Sequence, residues 1–305
     1  MSESSSTLSA IPTAEIVEVP MHQEPTSEFK DIADLVVHVL DNLNTLSNSP
    51  LSSPGVPSGF FDLDAFTGCF QPGELIVLAS RPSMGKSTLA RNISEHVSVA
   101  EGLPVAVFSM EAAAIQVTNR AVASIGRIDS MHLAKCQLTD EEWVRLLPAL
   151  ENLKIAPMHI SDASNLAVGV LREKALRLKI LTGAIGLVVV DCLQMMRGPV
   201  DQILIGLKNL AMELGCPIIL TSQVANTTDA RSDKRPTMFD IRDIPGLDSV
   251  PDTILFLYRD EQYTKSSCKD PGVAEVIVAK QRSGPTGVVK LAFVKAISRF
   301  ESLVA

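Results

Sequence analysis

The run Ser80-Arg81-Pro82-Ser83-Met84-Gly85-Lys86-Ser87-Thr88 constrains the fold of this chain more than any other stretch. It follows a short apolar segment, Glu74 to Ala79, and opens a segment, Ser87 to Ala100, that reads as a helix. A loop in that setting aims successive backbone N–H groups and the positive end of a helix dipole at one point, which suits a chain of phosphates. Lys86 is placed to reach the β and γ phosphates of ATP and the Ser87 hydroxyl to ligate Mg²⁺, with Ser83, Met84, Gly85 and Thr88 completing the cradle. The first glycine of the G-x-x-x-x-G-K-[ST] pattern is replaced by Ser80.

The rest of the chain has the alternation such a loop requires. Strands are expected at Glu74 to Ala79, Pro104 to Ser109, Met158 to Ser161, Gly186 to Asp191 and Pro217 to Ser222. Several are continuous apolar runs, as strands covered on both faces must be. Helices fit Ser87 to Ala100, Ala112 to Ile125, Thr139 to Leu153, Leu166 to Leu181 and Asp201 to Leu214. Beyond residue 250 the character changes to β-rich segments, Thr253 to Arg259, Ala274 to Lys280 and Gly287 to Phe293, joined by turn signals such as Asp270-Pro271-Gly272. The expected fold class is therefore α/β, a mostly parallel central sheet extended by antiparallel strands.

Composition matters mainly by exclusion. With 46% hydrophobic residues and 20% charged, the chain has material for a sizeable core. No apolar run reaches the roughly 18 residues of a membrane span, and the first thirty residues lack the basic and apolar regions of a signal peptide, so a cytoplasmic location is expected. The five cysteines show no paired spacing and read as free thiols. Of the net charge of −8, residues 1–50 carry eight acids against one base, leaving the remainder nearly neutral. Such a body binds DNA only if a few basic residues converge. Residues 1–28 read as a disordered acidic tail, and 47–58 as a Ser/Pro/Gly linker leading to a folded domain at 59–305. Between them, Ile32, Leu35, Val36, Val39, Leu40, Leu43 and Leu46 place one apolar face on a helix over 29–46. That face needs cover, from its own domain or from a neighbouring subunit.

Three further positions can complete a nucleotide site. Asp191 ends the apolar run Leu187-Val188-Val189-Val190, where a carboxylate can hold magnesium. Glu111 follows the strand ending at Ser109 and is placed to orient and deprotonate a water, although an acid there also suits a helix start. Gln223 follows Ile218 to Ser222, either as a γ-phosphate sensor or as a polar cap on the strand.

Taken together, Arg81 to Thr88, Phe108-Ser109-Met110-Glu111, Asp191-Cys192-Leu193-Gln194-Met195-Met196, Ser222-Gln223, Asp233-Lys234-Arg235-Pro236 and Lys280-Gln281-Arg282-Ser283-Gly284-Pro285 closely resemble the C-terminal motor domain of DnaB-type replicative helicases. The resemblance implies a RecA-like fold, a hexameric ring, ATP hydrolysis with Mg²⁺ at subunit interfaces and 5′-to-3′ translocation on single-stranded DNA. It implies Lys86 and Ser87 as phosphate and magnesium residues, Glu111 as catalytic base, Asp191 as the second magnesium residue and Gln223 as sensor. Arg120 matches an arginine near the nucleotide, and Lys280 and Arg282 a basic pair given to the neighbour's ATP. The 29–46 helix resembles the linker that docks each subunit on the next.

For DNA, the polar segment Asn226 to Val250 carries Arg231, Lys234, Arg235 and Arg242, and a loop of that length in a compact domain usually serves a function. Arg242-Asp243 resembles the family's backbone-binding Arg-Glu, with Pro245 where a small residue is expected. The stretch between Met196 and Leu207 is shorter than in the family, and the N-terminal collar domain has no counterpart, so coupling to primase is not expected; a helicase loader is a partner the resemblance allows. A RecA-like recombination or partner-remodelling ATPase, or a regulatory subunit of a helicase ring, stays open beside the helicase itself.

Overall fold

The computed structural model describes residues 55–303 together with Ile32, Val36, Val37 and Leu40. Those four residues are helical and exposed. The remainder of the helix expected over 29–46, the acidic tail and the linker as far as residue 54 lie outside the described residues. Chain order in the folded domain is α1 Phe61–Thr67, β1 Leu75–Ser80, α2 Lys86–Glu95, β2 Val105–Ser109, α3 Ala114–Ile125, α4 Ser130–Lys135, α5 Asp140–Ile155 and β3 Met158–Ser161. It continues with α6 Val168–Thr182, β4 Leu187–Asp191, α7 Val200–Leu214, β5 Ile218–Gln223, β6 Thr253–Tyr258, the single turn α8 Glu261–Thr264, β7 Val273–Gln281, β8 Gly287–Val294 and β9 Arg299–Ser302.

The apolar runs become strands because nothing else hides both of their faces. In β1, β2, β4 and β6 every residue is buried. All nine strands join one sheet in the order β3-β2-β4-β5-β1-β6-β7-β8-β9. The parallel part reaches one strand further than expected: Thr253 to Tyr258 runs parallel to β1, with Ile76 opposite Thr253, and only β7, β8 and β9 are antiparallel. A fully apolar strand looks the same in either direction, so its residues do not announce the choice.

Two cores lie on the two faces of the sheet. On one, α7 contributes Ile203, Leu204, Leu207, Leu210 and Leu214 against Val188, Val190 and Leu220. Each such buried side chain stabilises by about 1.5–3 kcal/mol relative to exposure. Helix α6 packs tightly on α7, since a Cβ on Gly206 would sit 2.7 Å from Val168. On the other face, Leu89, Ile93 and Val97 of α2 meet Ile76, Leu78, Leu255 and Phe300. Helix α2 continues through a π-turn, His96–Ala100, to the expected end at Ala100. Strand β9, not anticipated from its four mostly polar residues, is tied to α2 by Phe300 N–H donating to Asn92 Oδ1 at 2.9 Å. Among the described residues no helix is long and apolar enough to cross a membrane.

Candidate functional site

The sheet order carries the candidate residues to one edge. Ser109 pairs with Asp191 across β2 and β4, and Ser80 with Gln223 across β1 and β5, so four carboxyl ends lie side by side. The crevice outside such ends is where α/β sheets bind ligands.

The loop between β1 and α2 needs two left-handed backbone positions, Ser83 at φ 65° and Gly85 at φ 103°. Gly85 is demanded twice over, because a Cβ there would also lie 2.9 Å from the buried ring of Phe300. Ser80 stands at no such position: it is the last ladder residue of β1, is fully buried, and donates its hydroxyl to the Arg81 carbonyl at 2.9 Å. Nothing there requires the glycine that the motif usually carries.

Lys86, Ser87, Glu111 and Asp191 converge. Lys86 Nζ lies 3.5 Å from Glu111 Oε2 and 3.9 Å from Asp191 Oδ1. Ser87 Oγ donates to Asp191 Oδ1 at 3.1 Å, and the Thr221 hydroxyl donates to the same oxygen. The Ser87 hydroxyl and Asp191 carboxylate are hard oxygen donors side by side, and their chemistry fits magnesium. Thr88, Arg91, Arg120 and Asp191 line the same small crevice with Ser87, so Arg120 is brought to the site although it lies on the exposed side of α3. A wider cavity, about 420 Å³, lies elsewhere: it opens beside Glu95, His96 and Arg299 at the far end of α2. Ten residues of helix, about 15 Å, separate it from Lys86.

Cys192 was not among the expected site residues, and neither was Thr221. The Cys192 thiol donates to Glu111 Oε1 at 2.8 Å. Burial pushes this thiol up to about 12, helped by the Glu111 carboxylate it bonds. The thiol is thus a neutral donor at physiological pH. Its position directly after Asp191 was the available signal, but the partner lies 81 residues away.

Lys280 and Arg282 are not brought to this site. They follow β7 to the opposite edge, where Gln281 pairs with Thr253 and Thr253 with Ile76. The six residues of β1, roughly 17 Å of strand, stand between them and the phosphate loop. There Lys280 Nζ donates to the carbonyls of Asp248, Ser249 and Pro251 at 2.7–2.9 Å, and burial pushes its pKa down. Arg282 Nε lies 3.1 Å from Asp252 Oδ1.

The basic residues of the 226–250 segment are held within the domain to different degrees. Arg235 makes a two-pronged pair with Glu275 at 2.6 and 2.7 Å, which holds its pKa above the ordinary arginine value. Arg231 pairs with Asp240 at 2.9 Å, and Lys234 donates to the Asp229 carbonyl at 3.0 Å. Arg242 lies over the ring of Phe239, which is 67% exposed, and Asp243 is exposed beside it.

Comparison with known proteins identifies the family. The model of the DnaB-like helicase C terminal domain matches residues 55–302. The chain is 38% identical over 298 residues to the replicative DNA helicase DnaB of Geobacillus stearothermophilus, covering 94% of this chain and 65% of that protein. It is 37% identical to the replicative DNA helicase DnaC of Bacillus subtilis, again over 94% of this chain and 65% of the relative. The chain thus spans about two thirds of the length of these relatives. Among solved structures, an isolated ATPase domain superposes with a TM-score of 0.84 at 29% identity, covering 91% of this chain and all of that one. A DnaB-like replicative helicase studied with primase superposes at 0.83 and 29% identity, covering 90% of this chain and 69% of that one. The fold is RecA-like, and the chain belongs to the DnaB-like helicase C-terminal domain family.

Proposed function

We propose that this chain is the motor of an ATP-dependent replicative DNA helicase that works in the cytoplasm as a hexameric ring, moving 5′ to 3′ on single-stranded DNA. The observation that carries the reading is the division of the catalytic set. Lys86, Ser87, Glu111 and Asp191 meet at one edge of the sheet, while Lys280 and Arg282 lie at the other. A guanidinium that cannot reach its own subunit's phosphates, as that of Arg282 cannot, is suited to a neighbour's, with Lys280 bracing the strand end that carries it, so hydrolysis waits on assembly.

Lys86 holds the β and γ phosphates, with the N–H groups of Ser83 to Thr88 and the Arg120 guanidinium around them. Glu111 orients the attacking water and accepts its proton, and the bond from Cys192 keeps that carboxylate turned into the crevice. Ser87 and Asp191 hold Mg²⁺, which when bound neutralises charge on the phosphate oxygens. Gln223, in register with Ser80, senses the γ-phosphate and passes its presence to the segment beyond it. Arg282 of one subunit then meets the charge that develops on the next subunit's phosphoryl group.

The apolar stripe with Ile32, Val36 and Leu40, all exposed, is suited to docking on a neighbour. DNA contacts fall first on Arg242, with Asp243 beside it; Arg231, Lys234 and Arg235 shape the loop and reach phosphate at its rim. A loader is a fitting partner for a ring that must open onto DNA.

The test is hydrolysis and strand separation by the purified chain on a forked duplex, beside Lys86→Ala. DNA-stimulated hydrolysis with unwinding, both lost in the variant, is expected. Hydrolysis without strand separation under any loading condition would favour a partner-remodelling ATPase. Full function in Lys86→Ala would indicate a regulatory subunit.

A further inference from the structure

Arg81 opens the phosphate loop, yet its side chain turns away from the phosphate crevice. Its Nη1 donates to the Val224 carbonyl at 3.1 Å, and its Nη2 and Nε donate to the two Asp229 carboxylate oxygens at 2.6 and 3.3 Å. Asp229 belongs to the short 3₁₀ turn Asn226–Ala230 that begins the 226–250 segment. The same carboxylate accepts from the Tyr263 hydroxyl at 2.9 Å, and its own backbone carbonyl accepts from Lys234 at 3.0 Å. Lys234 in turn lies over the Tyr263 ring. Beyond it Arg231 holds Asp240, whose carboxylate accepts from the backbone N–H and hydroxyl of Thr237 and so caps the Met238–Ile241 turn ahead of Arg242. Two hydrogen-bonded groups, joined by the backbone between Asp229 and Arg231, thus lie between the first residue of the phosphate loop and the turn that precedes Arg242.

We propose that the Arg81–Asp229 pair is the mechanical link through which nucleotide occupancy of the phosphate loop repositions the 226–250 segment on single-stranded DNA. The inference rests on the proposed function and names the route by which its two sites are coupled. Arg81 and Asp229 are positioning residues: neither touches phosphate or base. The geometry suits a link because the guanidinium is planar and grips the carboxylate through two donors, so displacement of the loop backbone at Arg81 is carried to Asp229 rather than absorbed by rotation. Ser80 to Gln223 is the adjoining rung of the sheet, and Val224 N–H donates to the Ser80 carbonyl at 3.0 Å, so the turn has no slack between its start and Asp229. Arg81 also holds the Asp229 carboxyl below the usual carboxylate range, with help from Tyr263, so the pair stays ionised at physiological pH.

A coupling of this kind has a thermodynamic signature. If occupancy of the nucleotide site changes DNA affinity, the ratio of affinities in the two nucleotide states measures the link itself. The experiment measures binding of a fluorescent oligo-dT to the full chain with a non-hydrolysable ATP analogue and with ADP, for wild type, Asp229→Asn and Asp229→Glu. Wild type is expected to differ between the two states by at least about fivefold. Asp229→Asn should bring that ratio close to one while DNA-free hydrolysis stays within about twofold of wild type, since Asp229 is itself 40% exposed and bonds none of the residues that line the phosphate crevice. Asp229→Glu, which keeps the charge, should restore at least half of the ratio on a logarithmic scale. A merely structural role for Asp229 would shift both affinities equally and leave the ratio intact, and that result overturns the proposal. A wild-type protein that hydrolyses ATP but binds no oligo-dT in either state would instead remove the proposed function, and the coupling with it.

Discussion

The two ends of β1 use the same residue types to opposite purposes. At the amino end, Asp252 is buried and fully engaged: it accepts Leu75 N–H at 2.8 Å and Lys208 Nζ at 2.7 Å on one oxygen, and Arg282 Nε lies 3.1 Å from the other. Lys280 beside it spends its three donors on three carbonyls. At the carboxyl end the contacts of the lysine are longer. Lys86, itself buried, stands 3.5 and 3.9 Å from its two carboxylates. A buried charge held at hydrogen-bond distance on every side is a clamp, whereas one held at ion-pair distance with donors to spare is kept for a ligand. Within the amino-edge cluster Arg282 is the exception, since its side chain is 58% exposed and can leave Asp252 without uncovering a buried charge on itself.

That exception sets the largest expected effect. Arg282→Ala should lower DNA-stimulated hydrolysis by about 10³-fold or more, with little change in melting temperature. Lys86→Ala should be equally inactive. When the two variants are mixed and allowed to assemble, interfaces that pair the intact Lys86 of one with the intact Arg282 of the other should regain hydrolysis. Mixing that restores nothing, together with an Arg282→Ala protein of near wild-type rate, would reduce the amino edge to a clamp throughout.

Glu111→Gln probes the carboxyl edge. It keeps the shape and the bond from Cys192 but removes the base, so hydrolysis should fall by about 10²–10⁴-fold while nucleotide binding, followed by a fluorescent ATP analogue, holds within about threefold. Loss of binding in parallel with hydrolysis would mean that Glu111 serves to hold Lys86 rather than water.

Much of this site was legible in the residues because its signals are local. A strand, a Gly-Lys-Ser and a helix are contiguous, and Asp191 and Glu111 each directly follow an apolar run. The partners of the amino edge were not legible: Asp252 meets Leu75 and Lys208 from 177 and 44 positions away, and only the closed sheet defines that distance in space. The same reason hid the engagement of Arg235 with Glu275 and the seat of Gly85 on Phe300. Charge alone marked Arg231, Lys234, Arg235 and Arg242 as equivalent, and folding distinguishes them by giving ion-pair or carbonyl partners to the first three. Helix α1 was missed although Gly68, at φ 73°, is an ordinary end signal, because seven residues carry too little periodicity to stand out.

Asp252→Asn tests the clamp by stability. The amide still accepts Leu75 N–H, but Lys208, 22% exposed, loses its counter-charge. A hydrogen bond to a charged group contributes about 1.5–3 kcal/mol. With Lys208 partly solvated, about 2 kcal/mol is expected, or a fall of about 4–8 °C in melting temperature for a domain of this size. A variant as stable as wild type would mean that the amino edge is as slack as the carboxyl one.

The smallest effect is expected at Cys192, where the carboxyl edge borrows the tightness of the other end. A thiol pushed up to about 12 stays protonated as pH rises through 7, 8 and 9, so it remains a donor to Glu111 over that whole range and supplies almost no thiolate. The exposed Cys136 should therefore react with iodoacetamide first, and Cys192 about 10³-fold more slowly at pH 8.5, as peptide mapping of the alkylated protein would show. Cys192→Ser keeps a neutral donor at nearly the same place, so hydrolysis should change by less than about fivefold, the equivalent of one ordinary hydrogen bond. Cys192→Ala, which leaves Glu111 without that donor, should fall below the serine variant. If serine and alanine behave alike, the thiol is packing and Glu111 is oriented by Lys86 alone; if Cys192 alkylates as fast as Cys136, the crevice opens far more widely than its ion-pair distances imply.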